Sequence, residues 1–177
     1  MGQARKPEKA ALFIGSLFSQ TDIFTEVMPL LKIKFGTAFF ECPVYKWDYT
    51  SFYEKELGTP IYRSFVFFDG LFDTSQLPET KLLTNEIEEL FSEDNKRKIN
   101  LDPGYITLAK VVLASTKNYS HRIYLGNGIY ADLALIFQTN KGFQPQPYTY
   151  NDYKDQKTLK MFYDVRNSLK EYFLKKS

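Results

Sequence analysis

The chain has one cysteine, Cys42, and one histidine, His121. A lone cysteine excludes an intramolecular disulfide and a cysteine-based metal cage, and it fits a reducing compartment. With a single imidazole as well, a zinc site of the usual donors would need several carboxylates to complete it. No metal site is expected, and no cofactor is identified. Phosphate-binding signatures are missing too: there is no GxxxxGK[ST] loop and no GxGxxG after a strand. The run Thr139-Asn140-Lys141-Gly142 lacks the acid that a guanine-reading motif needs. A GxSxG nucleophile elbow is also absent.

Charge and hydropathy exclude further classes. A net charge of +2 is small for a dedicated nucleic-acid binder, which clusters Lys and Arg on one face. The tight basic cluster Lys96-Arg97-Lys98 follows four acids, Glu88, Glu89, Glu93 and Asp94, so nucleic acid is not an expected partner. No apolar run approaches the ~20 residues of a membrane span. Basic residues precede Ala10–Phe18, but that run is short and no small-residue cleavage site follows it. Lys6 breaks the myristoylation pattern. The expectation is a cytoplasmic protein with no membrane partner.

What is present is aromatic. Sixteen Phe and thirteen Tyr among 177 residues favour a substantial sheet. That length suits one domain burying about two thirds of its unfolded surface, with residues 1–9 as a flexible tail. Residues 10–18 read as a buried strand. Ser19 and Asp22 resemble a capping box ahead of a helix carrying Ile23, Val27, Leu30 and Leu31, which Gly36 ends and Pro29 kinks or delays. Residues 37–47 read as an edge or bulged strand because of Pro43. Residues 61–68 form a third strand. A second helix over 77–91 puts Leu83, Ile87, Leu90 and Phe91 on its core face, with Thr84, Glu88 and Glu89 elsewhere. A strand then begins at Lys98. This is a ferredoxin-like βαββαβ order, hence an α+β fold.

The second half extends that core with an antiparallel meander. Asp102-Pro103-Gly104 reads as a turn. Residues 105–115 carry both strand and helix signals and are read as strand. Asn127-Gly128 between alternating segments is a strong hairpin signal, joining strands over 121–125 and 129–137. Residues 138–157 read as an ordered Pro- and Tyr-rich surface loop. Phe162, Val165, Leu169 and Tyr172 predict a terminal amphipathic helix.

Candidate chemistry concentrates between Asn100 and Asp132. A two-residue turn at Asn127-Gly128 would pair Ile123 with Asp132 and His121 with Ala134. His121 and Asp132 then share a face as diagonal neighbours about 7–8 Å apart, while Arg122 and Tyr124 point the other way. A carboxylate beside an imidazole suits general acid–base work, so His121, Asp132 and Asp102 are the catalytic candidates. A surface or structural histidine fits the same residues. Lys117, His121 and Arg122 together could hold an anion, and Arg supplies a planar fork; a solvated basic loop is the alternative, and Tyr105 is a further ligand-binding candidate. Asn85, Glu88, Glu56 and Arg63 are candidate partners from the first half. Tyr150 and Asp152, with Tyr148 and Tyr153, form either a lid over a pocket or a loop packed on the sheet.

Nine segments carry a resemblance. They are FIGSLFS near the start, SFYEKELG at 51–58, Arg63 with Phe65, KLLTNEIE at 81–88, NLDPGY at 100–105, VLAST with Lys117, HRIYL at 121–125, GIYAD at 128–132 and YTYNDY at 148–153. On these the chain resembles a prokaryotic family known as domain of unknown function 4416. The family prefers Trp where Tyr148 stands and Glu where Asp132 stands. Its members often carry the label GTP-binding protein, which no motif in this chain supports. The resemblance implies no activity. Two functions from different classes remain. One is a protein or enzyme that takes a small anionic or phosphorylated ligand in a pocket around NLDPGY and HRIYL. The other is a non-catalytic module docking protein or RNA through an aromatic sheet.

Overall fold

The computed structural model describes residues 2–7 and 9–175. Residues 2–7 are exposed and without regular structure; of the expected tail, Met1 and Glu8 lie outside the described residues. The first half runs β1 (Ala11–Phe18), α1 (Thr21–Phe35), β2 (Ala38–Glu41), β3 (Tyr45–Trp47), a short helix α2 (Glu54–Leu57), β4 (Ile61–Phe68) and, after a 3-10 turn, α3 (Leu77–Leu90). A two-stranded ribbon follows, β5 (Ser92–Glu93) with β6 (Lys96–Arg97). Then come β7 (Ile99–Ile106), β8 (Lys110–Ser115), β9 (Ile123–Gly126), β10 (Ile129–Gln138), β11 (Gly142–Pro145), α4 (Asn151–Lys154) and α5 (Gln156–Lys175).

The large sheet has the order β11-β10-β8-β7-β1-β4-β2, with β3 also on β4 and β9 also on β10. Its β7-β1-β4-β2 part is antiparallel throughout. That is the strand order of the expected βαββαβ core, and the α+β class holds. Alternation along β1 explains the layering. Ile14 and Phe18 pack with Val27, Leu31 and Ile87 beneath α1 and α3. Phe13 faces the other way, with Phe65, Phe67, Phe162 and Val165 beneath α5. Helices therefore cover both faces, and the aromatics of β1 and most of those of β4 are core, whereas Phe39 and Phe40 on the edge strand β2 are exposed.

Several local readings change. Ser19 does not cap α1: its hydroxyl donates to the Leu57 carbonyl, Gln20 precedes the helix without a side-chain bond, and Pro29 is accommodated inside. The segment 37–47 is two strands rather than one, broken around Pro43 and both paired with β4. Residues 105–115 are strand, but with a turn at 107–109 separating β7 from β8. The stretch 138–157 is not simply a loop, because it contains β11, α4 and the start of α5.

The largest correction concerns Asp102-Pro103-Gly104. It lies inside β7, opposite Gly15, Ile14 and Phe13 of β1. Pro103 can donate no ladder bond, and the β7–β8 pairing stops one residue later at Gly104–Leu113. Gly104 is required by crowding: a Cβ there would meet Phe13 Cζ and the Val112 carbonyl at 2.6 Å. Beyond Gly104, β7 stays on β1 to Ile99, while β8 stays on β10 to Ser115. Two neighbouring strands thus follow different partners, and the sheet opens between them.

Candidate functional site

That opening is a cavity of about 460 Å³, within the size range of small-molecule pockets. Asn100 and Asp102 line it from β7, and residues 113–117 from β8 and the turn beyond. Other parts of the chain close it, among them α3 with Lys81, Asn85 and Glu88; the connection after β3 with Phe52 and Tyr53, and α2 with Glu56; and α4 with Asp152 and Tyr153.

Helix α3 shows how the sequence builds this wall. Its buried face carries Thr80, Lys81, Thr84, Ile87 and Glu88, whereas Leu90 is 74% exposed. The expected apolar face is therefore only partly the buried one. Buried charge is tolerated because each group has a partner. Lys81 Nζ donates to the Leu101 carbonyl at 2.7 Å and lies 3.9 Å from Glu88. Glu88 accepts from the Leu101 amide at 2.5 Å and from Arg97 at 2.8 Å. Burial pushes the Glu88 carboxyl above its ordinary range.

Arg97 ties three elements together. Its Nε and Nη2 donate to the two oxygens of Glu56 at 2.6 and 2.8 Å, a bidentate pair that fixes orientation. The hydrogen bond from Arg97 holds the Glu56 carboxyl below the usual range. Nη1 serves Glu88 and also Asn100 at 2.9 Å. Asn100 Nδ2 then donates to Asp102 at 2.7 Å. Arg97 was not a candidate from sequence. The available signal was Asp94-Asn95, both at positive φ, a turn pair aiming the following Lys-Arg strand back at the sheet.

Arg63 lies on the opposite side of the sheet, over the phenyl ring of Phe65 at 4.5 Å. Gly15 makes this possible, since a Cβ there would meet Nη2 at 3.0 Å. Arg63 is 2% exposed. Its Nη2 is 3.2 Å from Asp152 Oδ2, which also accepts from Trp47 Nε1. Nη1 is 4.0 Å from Asp102, beyond hydrogen-bond reach. Nη2 meets Asp152 as an ion pair rather than in hydrogen-bond geometry, and the buried Nε and Tyr153 hydroxyl have no hydrogen-bond partner.

The β9–β10 hairpin forms at Asn127-Gly128 as expected, both at positive φ, but its register does not hold. Gly126 pairs with Ile129, Leu125 bulges, and Tyr124 pairs with Tyr130 and Ile123 with Ala131. The bulge shifts the strand by one residue, so Arg122 is brought to Asp132 instead of pointing away from it. Arg122 donates to Asp132 Oδ2 at 2.8–2.9 Å, to Ser115 Oγ at 2.7 Å and to Tyr150 Oη at 2.7 Å. His121 precedes β9. It keeps its contact with Asp132, at 3.4 Å, but Nε2 makes no hydrogen bond. Its ring stacks on Tyr148 at 4.0 Å.

The cavity thus gathers ten of the twelve candidates: Glu56, Arg63, Asn85, Glu88, Asp102, Lys117, Arg122, Asp132, Tyr150 and Asp152. His121 is not among the lining residues; it sits behind Asp132. Tyr105 faces away and packs with Leu77, Val112 and Ile129. Among the described residues, no three His, Cys, Asp or Glu side chains converge as metal ligands, and no helix is long and apolar enough to cross a membrane.

Fold and site define an α+β domain with a charged cavity where its sheet splits. The family model described as domain of unknown function 4416 matches residues 8–169, and the chain belongs to that family. No curated protein and no solved structure matches it.

Proposed function

We propose that this domain binds a small polar molecule carrying an anionic group, a phosphate or a carboxylate, in the cavity between β7 and β8. One observation carries the reading: the wall presents cationic groups whose capacity the protein does not use. Among the described residues no carboxylate lies within salt-bridge distance of Lys117, whose ammonium sits 4.8 Å from the Phe52 ring. The buried Arg63 guanidinium is ion-paired with Asp152 through Nη2 at 3.2 Å, but its Nη1 makes no hydrogen bond, with Asp102 4.0 Å away. A buried polar group without a hydrogen bond is costly, so an anion at Arg63 Nη1 would offset that cost, and the exposed Lys117 offers a second cation on the same wall. Trp47, Phe52, Tyr53 and Tyr150 supply an aromatic side to the same space. The reading is set in the cytoplasm, where a half-buried, free Cys42 is kept reduced.

A thermal-shift screen over nucleotides, inorganic phosphate and carboxylates tests it. A ligand at a hundred times its Kd adds about 2.7 kcal/mol, or a rise in Tm of about 5–10 °C for a chain this long. Absence of any shift across the panel would sink the reading.

A docking module is the second reading, favoured by the hairpin tip, where Ile123, Tyr124 and Leu125 are all exposed. Substituting Ile123→Asp should then abolish capture of a protein partner without changing Tm.

A further inference from the structure

The charge balance of the cavity narrows its ligand, on the reading that the cavity binds a small molecule. Arg63, Lys81, Arg97, Lys117 and Arg122 line it, and so do Glu56, Glu88, Asp102, Asp132 and Asp152. Five formal positive charges meet five negative ones. A bound phosphate dianion would leave this half-enclosed site two charges short of balance. A simple carboxylate would leave it one short. Interactions between unbalanced charges strengthen as water is excluded, so a wall of zero net charge favours a ligand of zero net charge. A ligand that also carries an anionic group must then carry a cation.

The floor shows where the two ends would sit. Arg97 is committed to Glu56, Glu88 and Asn100, and Arg122 to Asp132, Ser115 and Tyr150. Asp102 is different. Its Oδ2 accepts one hydrogen bond, from Asn100. Its Oδ1 is 3.8 Å from Lys81 Nζ, too far for a hydrogen bond. About a third of its side chain (31%) is open. Beside it, at 4.0 Å, stands Nη1 of the buried Arg63 guanidinium, which makes no hydrogen bond, while Nη2 pairs with Asp152 at 3.2 Å. A carboxylate with spare acceptor capacity and a guanidinium nitrogen without a hydrogen bond lie side by side on one floor.

We propose that the ligand carries an α-amino-acid head, an ammonium and a carboxylate on one carbon, with the ammonium at Asp102 and the carboxylate at Arg63. The two ligand charges are as close together as the two protein charges that receive them. The rest of the ligand extends towards Phe52, Tyr53 and Tyr150, whose rings border the cavity. Lys117, on the Phe52 ring, stands at that end for an acceptor on the ligand's side chain.

Calorimetric titration of the full chain with the free L-amino acids, their N-acetyl and amide derivatives, sodium acetate and sodium phosphate tests this. At least one free amino acid should bind. Its N-acetyl and its amide derivative should each bind about 30-fold more weakly or worse, the scale expected when one partner of a desolvated charge pair is removed. Asp102→Asn, nearly isosteric, should weaken the free amino acid at least as strongly as it weakens the N-acetyl derivative, with folding checked by circular dichroism. The comparison of derivatives on the unaltered chain does not depend on that variant. Tighter binding of phosphate, acetate or the N-acetyl derivative than of any free amino acid would overturn the amino-acid head and leave the anion-binding reading standing. Absence of binding by every compound would overturn the amino-acid head, and the anion-binding reading falls with it only if the nucleotides of the thermal-shift panel also fail.

Discussion

Replacing Arg97 by Met keeps most of the aliphatic stem and removes the guanidinium. Glu88, buried on α3, then keeps only Lys81 at 3.9 Å as a cationic neighbour, and Glu56 loses both of its bonds to Arg97. Breaking a buried ion pair costs about 3–5 kcal/mol. The Arg97 and Glu56 side chains are each about a third exposed, so solvent screening lowers the expectation to about 2–3 kcal/mol. At about 2–4 °C per kcal/mol for a chain of this size, Tm should fall by about 4–12 °C.

The deficit should depend on pH, and its sign follows from the two carboxyls. Glu88 is pushed up by burial, and without Arg97 it is pushed further. In the variant the folded state therefore binds a proton that the unfolded state does not, between the unfolded Glu value of about 4.3 and the raised folded value. Stability there rises as pH falls. Glu56 is held down by Arg97. Its contribution to the unaltered protein is present above the unfolded value and is lost as pH falls through the depressed folded value. Both effects shrink the difference between variant and parent at acid pH. Urea denaturation at intervals from pH 7.5 to 4 should show the gap widest at pH 7.5 and narrowing steadily. A Glu88→Gln background should also reduce the cost of the Arg97 change, as expected for groups in one network. A gap that stays constant with pH, or one below about 0.5 kcal/mol at pH 7.5, would refute the network.

Gly104→Ala should cost about 1–3 kcal/mol or more, read by chemical denaturation, because the new methyl meets a backbone carbonyl that cannot yield. Arg122→Lys cannot reproduce a fork shared by Asp132, Ser115 and Tyr150; a loss of about 2–3 kcal/mol is expected, and a loss under about 0.5 kcal/mol would show the fork to be dispensable. His121→Ala removes a ring stacked on Tyr148, so stability should fall by about 1 kcal/mol while ligand affinity, measured by calorimetry, stays within about threefold. A tenfold loss of affinity, about 1.4 kcal/mol, would return His121 to the site.

Sequence and tertiary structure divided the work in a physically sensible way. Features set within a few residues were legible. The aromatic and branched run Ile61–Phe68 is a strand with the expected bounds. Asn127-Gly128 turns because both residues accept positive φ, and Phe162, Val165 and Leu169 bury one side of α5. Most of the polar residues singled out around NLDPGY and HRIYL also meet in one place.

What the sequence could not supply was the partner across space. Asp-Pro-Gly has the composition of a turn, but β1 and Phe13 impose an extended path on it, and Gly104 serves a close approach rather than a bend. One bulged residue, Leu125, decides that Arg122 meets Asp132, because a shift of one residue reverses every side chain along a strand. Arg97 gains its role from Glu56, 41 residues away. The sequence by itself determined the main strands and helices of the core, their βαββαβ order and the α+β class, since those follow from local periodicity and turn chemistry. The cavity was decided by the tertiary structure alone: β7 and β8 diverge after Gly104 because each keeps a different neighbour, and no local signal records which neighbour a strand will keep.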